Sequence, residues 1–133
     1  MASKQILALD VGEKRIGVAI ADPAVRIAVP LETIEVDGNE LQRIAEICTR
    51  DQIDTIVVGY PRNQSGEATA QTAYVETFAS QLVDFASVTF QDESLTSVEA
   101  TRMLEQSKKR YERGDVDMQA AALILQDYLE MLA

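Results

Sequence analysis

The sequence predicts an α/β domain in which helices cover both faces of a mixed five-stranded sheet. The chain opens with short apolar runs of strand length, and after residue 39 its apolar residues adopt a helical period that alternates with further strand-like runs. A three-strand meander followed by alternating helix and strand is typical of such a sheet. The 133 residues, 47% of them hydrophobic, fit one compact domain spanning residues 1–133.

The first three predicted strands form the meander. Two near-continuous apolar runs, residues 5–10 (QILALD) and 15–22 (RIGVAIAD), are joined by a turn at residues 12–14 and predict a β-hairpin. A third strand is indicated at residues 31–36 (LETIEV), where apolar and polar residues alternate ahead of a turn at residues 37–39.

Helices and strands then alternate. Apolar residues at i, i+3, i+4 and i+7 predict a helix over residues 40–50. The run at residues 55–59 (TIVVG) does not alternate and is typical of a parallel strand covered on both faces. A second helix is marked by Tyr74, Phe78 and Leu82, which recur at the spacing of one helical face.

The last part of the chain completes the pattern. A fifth strand is predicted at residues 87–91 (SVTFQ), and a third helix over residues 96–106 because Thr96 and Glu99 have the spacing of a capping box. The last helix begins near Val116 and is apolar nearly all round, so we expect it to be deeply buried. This order of elements is that of the ribonuclease H-like fold, and the pattern alone also suits other small α/β domains.

The composition excludes several kinds of site. The chain has no histidine and one cysteine, Cys48, which excludes zinc sites built on imidazole and thiolate, Ser-His and Cys-His nucleophile pairs, and an internal disulfide. The longest apolar run, residues 120–125, is far shorter than the roughly 20 residues of a membrane span. The first residues also lack the apolar segment of a signal peptide. We therefore expect an intracellular, cytoplasmic protein with no membrane partner, whose catalysis uses carboxylates, hydroxyls, lysine or a metal ion.

Four acidic residues lie where the predicted elements end or begin. Asp10 ends the first strand, Asp92 and Glu93 close the fifth, and Asp117 begins the last helix. Each also has an ordinary explanation, as a solvated turn residue or as helix-dipole compensation, with Asp115 as the N-cap of the last helix. Side chains alternate across a strand, so only one of the adjacent acids on the fifth strand can share the face of the first, and spacing does not say which.

Taken together, these acids predict a metal site. The fold would bring one carboxylate from each of three element ends to one edge of the sheet, and oxygen-rich clusters without histidine suit hard cations. We expect Mg²⁺ or Mn²⁺. Two such ions about 3.5–4 Å apart can bind the attacking water and the leaving oxygen of a phosphodiester without a histidine base.

Two segments could contact nucleic acid. The loop at residues 59–66 could receive a phosphate oxygen at its backbone N–H groups and Asn63, although an ordinary loop with Ser65 as N-cap explains it as well. Residues 102–113 hold five basic and two acidic residues in a chain whose net charge is −10. This basic stretch could bind a phosphate backbone or be a solvated loop.

Four segments, read in order, resemble the YqgF/RuvX family of Holliday junction resolvases, whose bacterial members are implicated in maturation of 16S ribosomal RNA. The segments are LALDVGEKRIGVAIAD, IVVGYPRNQSGE, DESLTSVEA and VDMQAAALILQDYL, and the resemblance covers nearly the whole chain. It implies that Asp10, Glu93 and Asp117 are the acidic active-site residues and metal ligands. It thereby selects Glu93 over Asp92.

The resemblance also implies a set of residues near the substrate, and the chain departs from the family beside them. The implied substrate contacts are Lys14, Arg15, Asn63, Thr96, Lys108, Lys109 and Arg110. Ser94 stands where the family commonly has arginine, and Met118 where it commonly has a basic residue. Both departures remove positive charge beside the expected metals, and Ser94 cannot hold a phosphate bidentately.

The sequence therefore predicts a Mg²⁺- or Mn²⁺-dependent endonuclease of the ribonuclease H-like fold, acting on nucleic acid, either precursor rRNA or branched DNA. One alternative is a Holliday junction resolvase. Another is a non-catalytic nucleic-acid-binding factor of ribosome biogenesis or transcription, which the two departures favour and the complete set of acids disfavours. We expect a monomer or weak homodimer, because the few aromatic residues and the high charge disfavour a large obligate interface.

Overall fold

The chain is described by a computed structural model over residues 4–60, 70–92 and 113–132, with side chains from residue 116 onward in the last segment. The elements of this part are β1 Gln5–Val11, β2 Arg15–Ala21, β3 Val29–Glu35, α1 Glu40–Arg50, β4 Ile53–Tyr60, α2 Ala70–Ser80, β5 Ser87–Asp92 and α3 Arg113–Met131. The helix predicted over residues 96–106 lies outside the described residues.

The strands form one five-stranded mixed sheet in the order β3-β2-β1-β4-β5. The first three strands are an antiparallel meander, whereas β4 runs parallel to β1 and β5 runs parallel to β4. The predicted sheet is therefore confirmed. Because β1, β4 and β5 point the same way, their carboxyl ends lie along the same edge of the sheet, where ligand sites of α/β sheets form.

Each face of the sheet has its own apolar core. On one face Leu7, Leu9 and Val11 of β1 pack in a cluster with residues of α1 and α2. On the other face Ile6 and Ala8 pack with residues of α3. This alternation follows from the two-residue period of a strand, and it confirms the prediction that helices cover both faces.

Most strand bounds differ from the predicted ones by one or two residues. At the sheet edge β3 begins two residues early, at Val29, and Pro30 lies opposite Ala19 where the β2–β3 register shifts. An edge strand tolerates proline because one side of its backbone has no strand partner. Leu82 follows the end of α2, yet it is fully buried, and its N–H donates to the Ala79 carbonyl in the turn.

The last helix differs from its prediction in two respects. It begins at Arg113, so Asp115 lies inside α3 and is not its N-cap. It is also not deeply buried on every side, since Asp127, Glu130 and Met131 are exposed. A helix lying on one face of a sheet keeps an outer side in solvent, which explains why the burial is one-sided.

Cys48 lies inside the α1 side of the core as a buried free thiol. Burial raises the pKa of the Cys48 thiol to about 11, because the thiolate would lose its hydration. This cysteine is therefore a packing residue at neutral pH. In the described part of the chain, no helix is both long and apolar enough to cross a membrane.

Candidate active site

Asp10 lies near the carboxyl end of the central strand, on the α3 face of the sheet. Its position in β1 has the parity of Ile6 and Ala8, which pack against α3. Its side chain is partly buried, and its partner across the β1–β2 ladder is Gly17. The acid therefore lies at the sheet edge where the sequence predicts a site.

Gly17 allows the first turns of α3 to contact the sheet beside Asp10. A Cβ atom on Gly17 would lie 1.9 Å from the carbonyl oxygen of Asp117 and 3.0 Å from the backbone nitrogen of Met118. The next turn of the helix continues the contact through Ala120 and Ala121, which are fully buried. The backbone of α3 thus packs directly on the backbone of β2. Asp117 lies at this contact, next to Gly17, which pairs with Asp10.

Asp117 forms an ion pair with Arg15, the first residue of β2. The Arg15 Nε atom donates to Asp117 Oδ2 at 2.9 Å, and the two side chains are 24% and 23% exposed. Arg15 has the same strand parity as Gly17 and so also lies on the α3 face. The pair joins residues 102 apart in the chain and ties the start of α3 to the sheet.

The ion pair borders an open cleft of about 380 Å³ at the β1–β2 turn. The lining residues are Gly12, Glu13, Lys14, Arg15, Gln71 and Asp117. Gly12 closes the turn by donating its N–H to the Arg15 carbonyl at 3.0 Å, and a Cβ at Gly12 would lie 2.7 Å from that oxygen. The turn therefore needs glycine here, and it holds Lys14 and Arg15 at the cleft.

Gln71, in the first turn of α2, is a cleft residue that sequence reasoning missed. Its Nε2 atom donates to the Val11 carbonyl at 3.2 Å, at the carboxyl end of β1. The contact fixes the start of α2 against the central strand and places an amide in the cleft. No motif or spacing marks this residue, because the contact depends on how α2 is placed against β1.

The two faces of β5 separate Asp92 from Asp10. The side chain of Gln91 reaches α3, where its Nε2 atom lies 3.4 Å from the Met131 sulfur. Val88 packs into the opposite core, that of α1 and α2. Asp92 has the parity of Val88, so it lies on the face opposite Asp10. It therefore cannot join the acids of the α3 face.

The other predicted site residues lie outside the described residues. These are Asn63, Glu93, Thr96, Lys108, Lys109 and Arg110. Within the described ranges, no three or more His, Cys, Asp or Glu side chains are placed to share a metal ion. Of the three carboxylates in the predicted cluster, the structure therefore describes Asp10 and Asp117. As hard oxygen donors on one face, they suit a hard divalent cation.

Comparison with known proteins assigns the chain to a family. The family model described as "RuvX: Holliday junction resolvase" matches residues 4–131. A protein of Chloroflexus aurantiacus is 42% identical, with 98% of this chain and 89% of that protein covered. A protein of Clostridium botulinum is 38% identical, with 97% and 98% covered. Both carry the name "Putative pre-16S rRNA nuclease".

Solved structures of Holliday junction resolvases share the fold. T. thermophilus RuvC, in complex with a Holliday junction substrate, has a TM-score of 0.57 at 16% identity and covers 95% of this chain and 93% of its own. Fowlpox virus resolvase, in complex with Holliday junction DNA, has a TM-score of 0.58 at 14% identity and covers 95% and 97%. These likenesses confirm the predicted ribonuclease H-like fold. Because the family model and relatives near 40% identity span nearly the whole sequence, the chain belongs to the RuvX family.

Proposed function

We propose that the chain is a divalent-metal-dependent endonuclease that hydrolyses phosphodiester bonds in the precursor of 16S rRNA. The observation that carries this proposal is the placement of Asp10 and Asp117 on either side of Gly17, at the carboxyl end of the central strand. Membership of the RuvX family and the pre-16S rRNA nuclease name of its relatives support the substrate. A non-catalytic binding factor would not need two acids at this position.

The metal ligands of the proposed site are Asp10, Asp117 and Glu93. Asp92 lies on the face opposite Asp10, and the family resemblance selects Glu93 as the third acid. Mg²⁺ or Mn²⁺ held by these oxygens would activate a water and stabilise the leaving oxygen.

The cleft supplies the proposed contacts to the substrate backbone. Among the described residues the cleft is open, which suits contact with an extended nucleic-acid strand. Lys14 can bind a phosphate as a point charge, and the Gln71 amide is placed to orient a phosphate or ribose oxygen. Asn63, Thr96 and the basic residues Lys108, Lys109 and Arg110 would extend this surface along the strand.

The departures at Ser94 and Met118 favour RNA over a four-way junction. A junction resolvase has to make paired cuts, which requires a two-fold dimer with many phosphate contacts. Each protomer of this chain has one basic stretch, and Ser94 and Met118 lack two charges that the family commonly has. A nuclease acting on flexible single-stranded RNA works as a monomer or weak dimer with fewer anchors.

An assay on two substrates tests the proposed function. We expect purified protein to cut precursor 16S rRNA with Mg²⁺ or Mn²⁺, to be inactive in EDTA, and to cut a four-way junction much more slowly. Symmetric junction cleavage with no cutting of the rRNA would show that the substrate is wrong. Binding of the rRNA without cleavage in any metal would show that the chain is a binding factor.

We expect Lys109→Ala to weaken RNA binding through loss of one phosphate contact. The overall charge of −10 repels nucleic acid, so binding depends on local basic residues. The slope of log Kd against log salt concentration should become shallower by about 1. Lys4→Ala is the matched control, because Lys4 precedes β1 and so lies at the sheet edge opposite the proposed site. Its Nζ atom lies 3.7 Å from Asp54 Oδ1. Equal slopes for the two variants would remove Lys109 from the proposed surface.

A further inference from the structure

We propose that Arg15 is a resident counter-ion of Asp117 that a divalent metal has to displace in order to bind. The proposal rests on the metal site of the proposed function and adds a competitor to it. The Asp117 carboxylate, which would hold the metal, accepts a hydrogen bond at its Oδ2 atom from Arg15 Nε at 2.9 Å. A guanidinium and a divalent cation bound to the same carboxylate repel each other, so binding of one weakens binding of the other.

The charges around the ion pair explain why a counter-ion is useful before metal binds. Asp117 and Glu13 line the same cleft, and Asp10 pairs with Gly17, on which the Asp117 backbone packs. Clustered like charge destabilises the folded state unless a cation balances it. Arg15 supplies such a cation to Asp117 from β2, and the ion pair ties the N-terminal part of α3 to the sheet.

The ion pair of Arg15 is placed to be exchangeable. The side chains of Arg15 and Asp117 are about three-quarters buried, and both line the open cleft. The contact uses the single Nε donor, whereas a bidentate pair would hold the carboxylate more firmly. By contrast, Arg43 binds both Oε1 and Oε2 of Glu32, from α1 to β3. Displacement by a metal would release the Arg15 guanidinium into the cleft, where the family resemblance implies a substrate contact.

Calorimetric titration with Mn²⁺ alone measures the competition. We expect Arg15→Ala to bind Mn²⁺ about 3–10-fold more tightly than the wild type, as removal of a modest, partly exposed ion pair implies. Lys14→Ala is the matched control, because it removes the same charge from the cleft but leaves the Arg15–Asp117 pair intact. Its affinity for Mn²⁺ should rise by no more than about twofold.

Thermal unfolding with and without Mn²⁺ separates a counter-ion from a purely structural residue. Arg15→Ala should lower the Tm of the metal-free protein, since Asp117 loses its cation, and this deficit should shrink at saturating Mn²⁺. A structural role would give the same deficit in both conditions. If Arg15→Ala does not fold, Arg15→Gln, which keeps a hydrogen-bond donor without the charge, is measured in the same way.

The outcomes of these measurements are distinguishable. If the wild type binds Mn²⁺ and the Arg15 variant binds it no more tightly than Lys14→Ala does, the counter-ion proposal is wrong and the metal site stands. If neither the wild type nor any variant binds Mn²⁺, the metal site and the counter-ion both fail. Tighter binding by the Arg15 variant alone, with a metal-dependent Tm deficit, supports the proposal.

Discussion

Purified Asp10→Asn protein is expected to lose cleavage of precursor 16S rRNA while remaining folded. Asparagine keeps the shape of the side chain but removes an anionic ligand from the partly buried end of β1. Loss of a residue that only supports a metal ligand commonly costs 10–100-fold, so loss of a ligand should cost at least about 100-fold. Relief of like charge near Asp117 should keep or raise the Tm. Initial cleavage rates and thermal unfolding in Mg²⁺ measure both effects.

Asp92→Asn is the matched control for this prediction. It makes the same chemical change at the same sheet edge, but Asp92 lies on the opposite face from Asp10. Its cleavage rate should stay within about threefold of the wild type, since a charge on the far side of the sheet is screened by solvent. A fully active Asp10→Asn protein, or equal losses in the two variants, would contradict the proposed metal site.

The architecture could be predicted from the sequence because it depends on local patterns. Apolar runs and helical stripes identify the elements, and the two-residue period of β1 separates the Leu7 and Leu9 core from the Ile6 and Ala8 core. The bounds of the elements were less predictable. Asp115 has the residue type of an N-cap, yet α3 begins two residues earlier, at Arg113.

The site was predictable only in part, because its contacts join distant segments. The acids Asp10 and Asp117 stand out by their positions at element ends. The pairing of Arg15 with Asp117 and the contact of Gln71 with Val11 depend instead on how α3 and α2 are placed on the sheet. No spacing along the chain encodes a contact between residues 102 apart.

The choice between adjacent acids shows a further limit of sequence patterns. Alternation says that Asp92 and Glu93 point to opposite faces, but not which face each takes. The structure decides this for Asp92 through its neighbours, since Gln91 contacts α3 and Val88 packs into the opposite core. Glu93, which the family resemblance selects, lies outside the described residues, so its assignment stays a prediction.

Gly17→Ala is expected to damage both stability and cleavage, because the added methyl group would occupy the space of α3. Its carbon would lie 1.9 Å from the Asp117 carbonyl oxygen, far inside van der Waals contact, and the obstacle is backbone that cannot rotate away. Overpacking of this kind costs about 1–3 kcal/mol of unfolding free energy, and we expect the upper end or more. Displacing Asp117 by about 1 Å should also slow cleavage about 100-fold.

Gly38→Ala separates the steric effect of Gly17→Ala from the general cost of replacing a glycine. Gly38 has a φ of +100° and nothing within 4 Å of an added Cβ, so its substitution costs only backbone strain, about 1–2 kcal/mol. Urea unfolding should therefore show destabilisation in both variants, whereas only Gly17→Ala should lose cleavage under conditions where both remain folded. Wild-type cleavage by folded Gly17→Ala would mean that the close contact of α3 with β2 does not position Asp117 for catalysis.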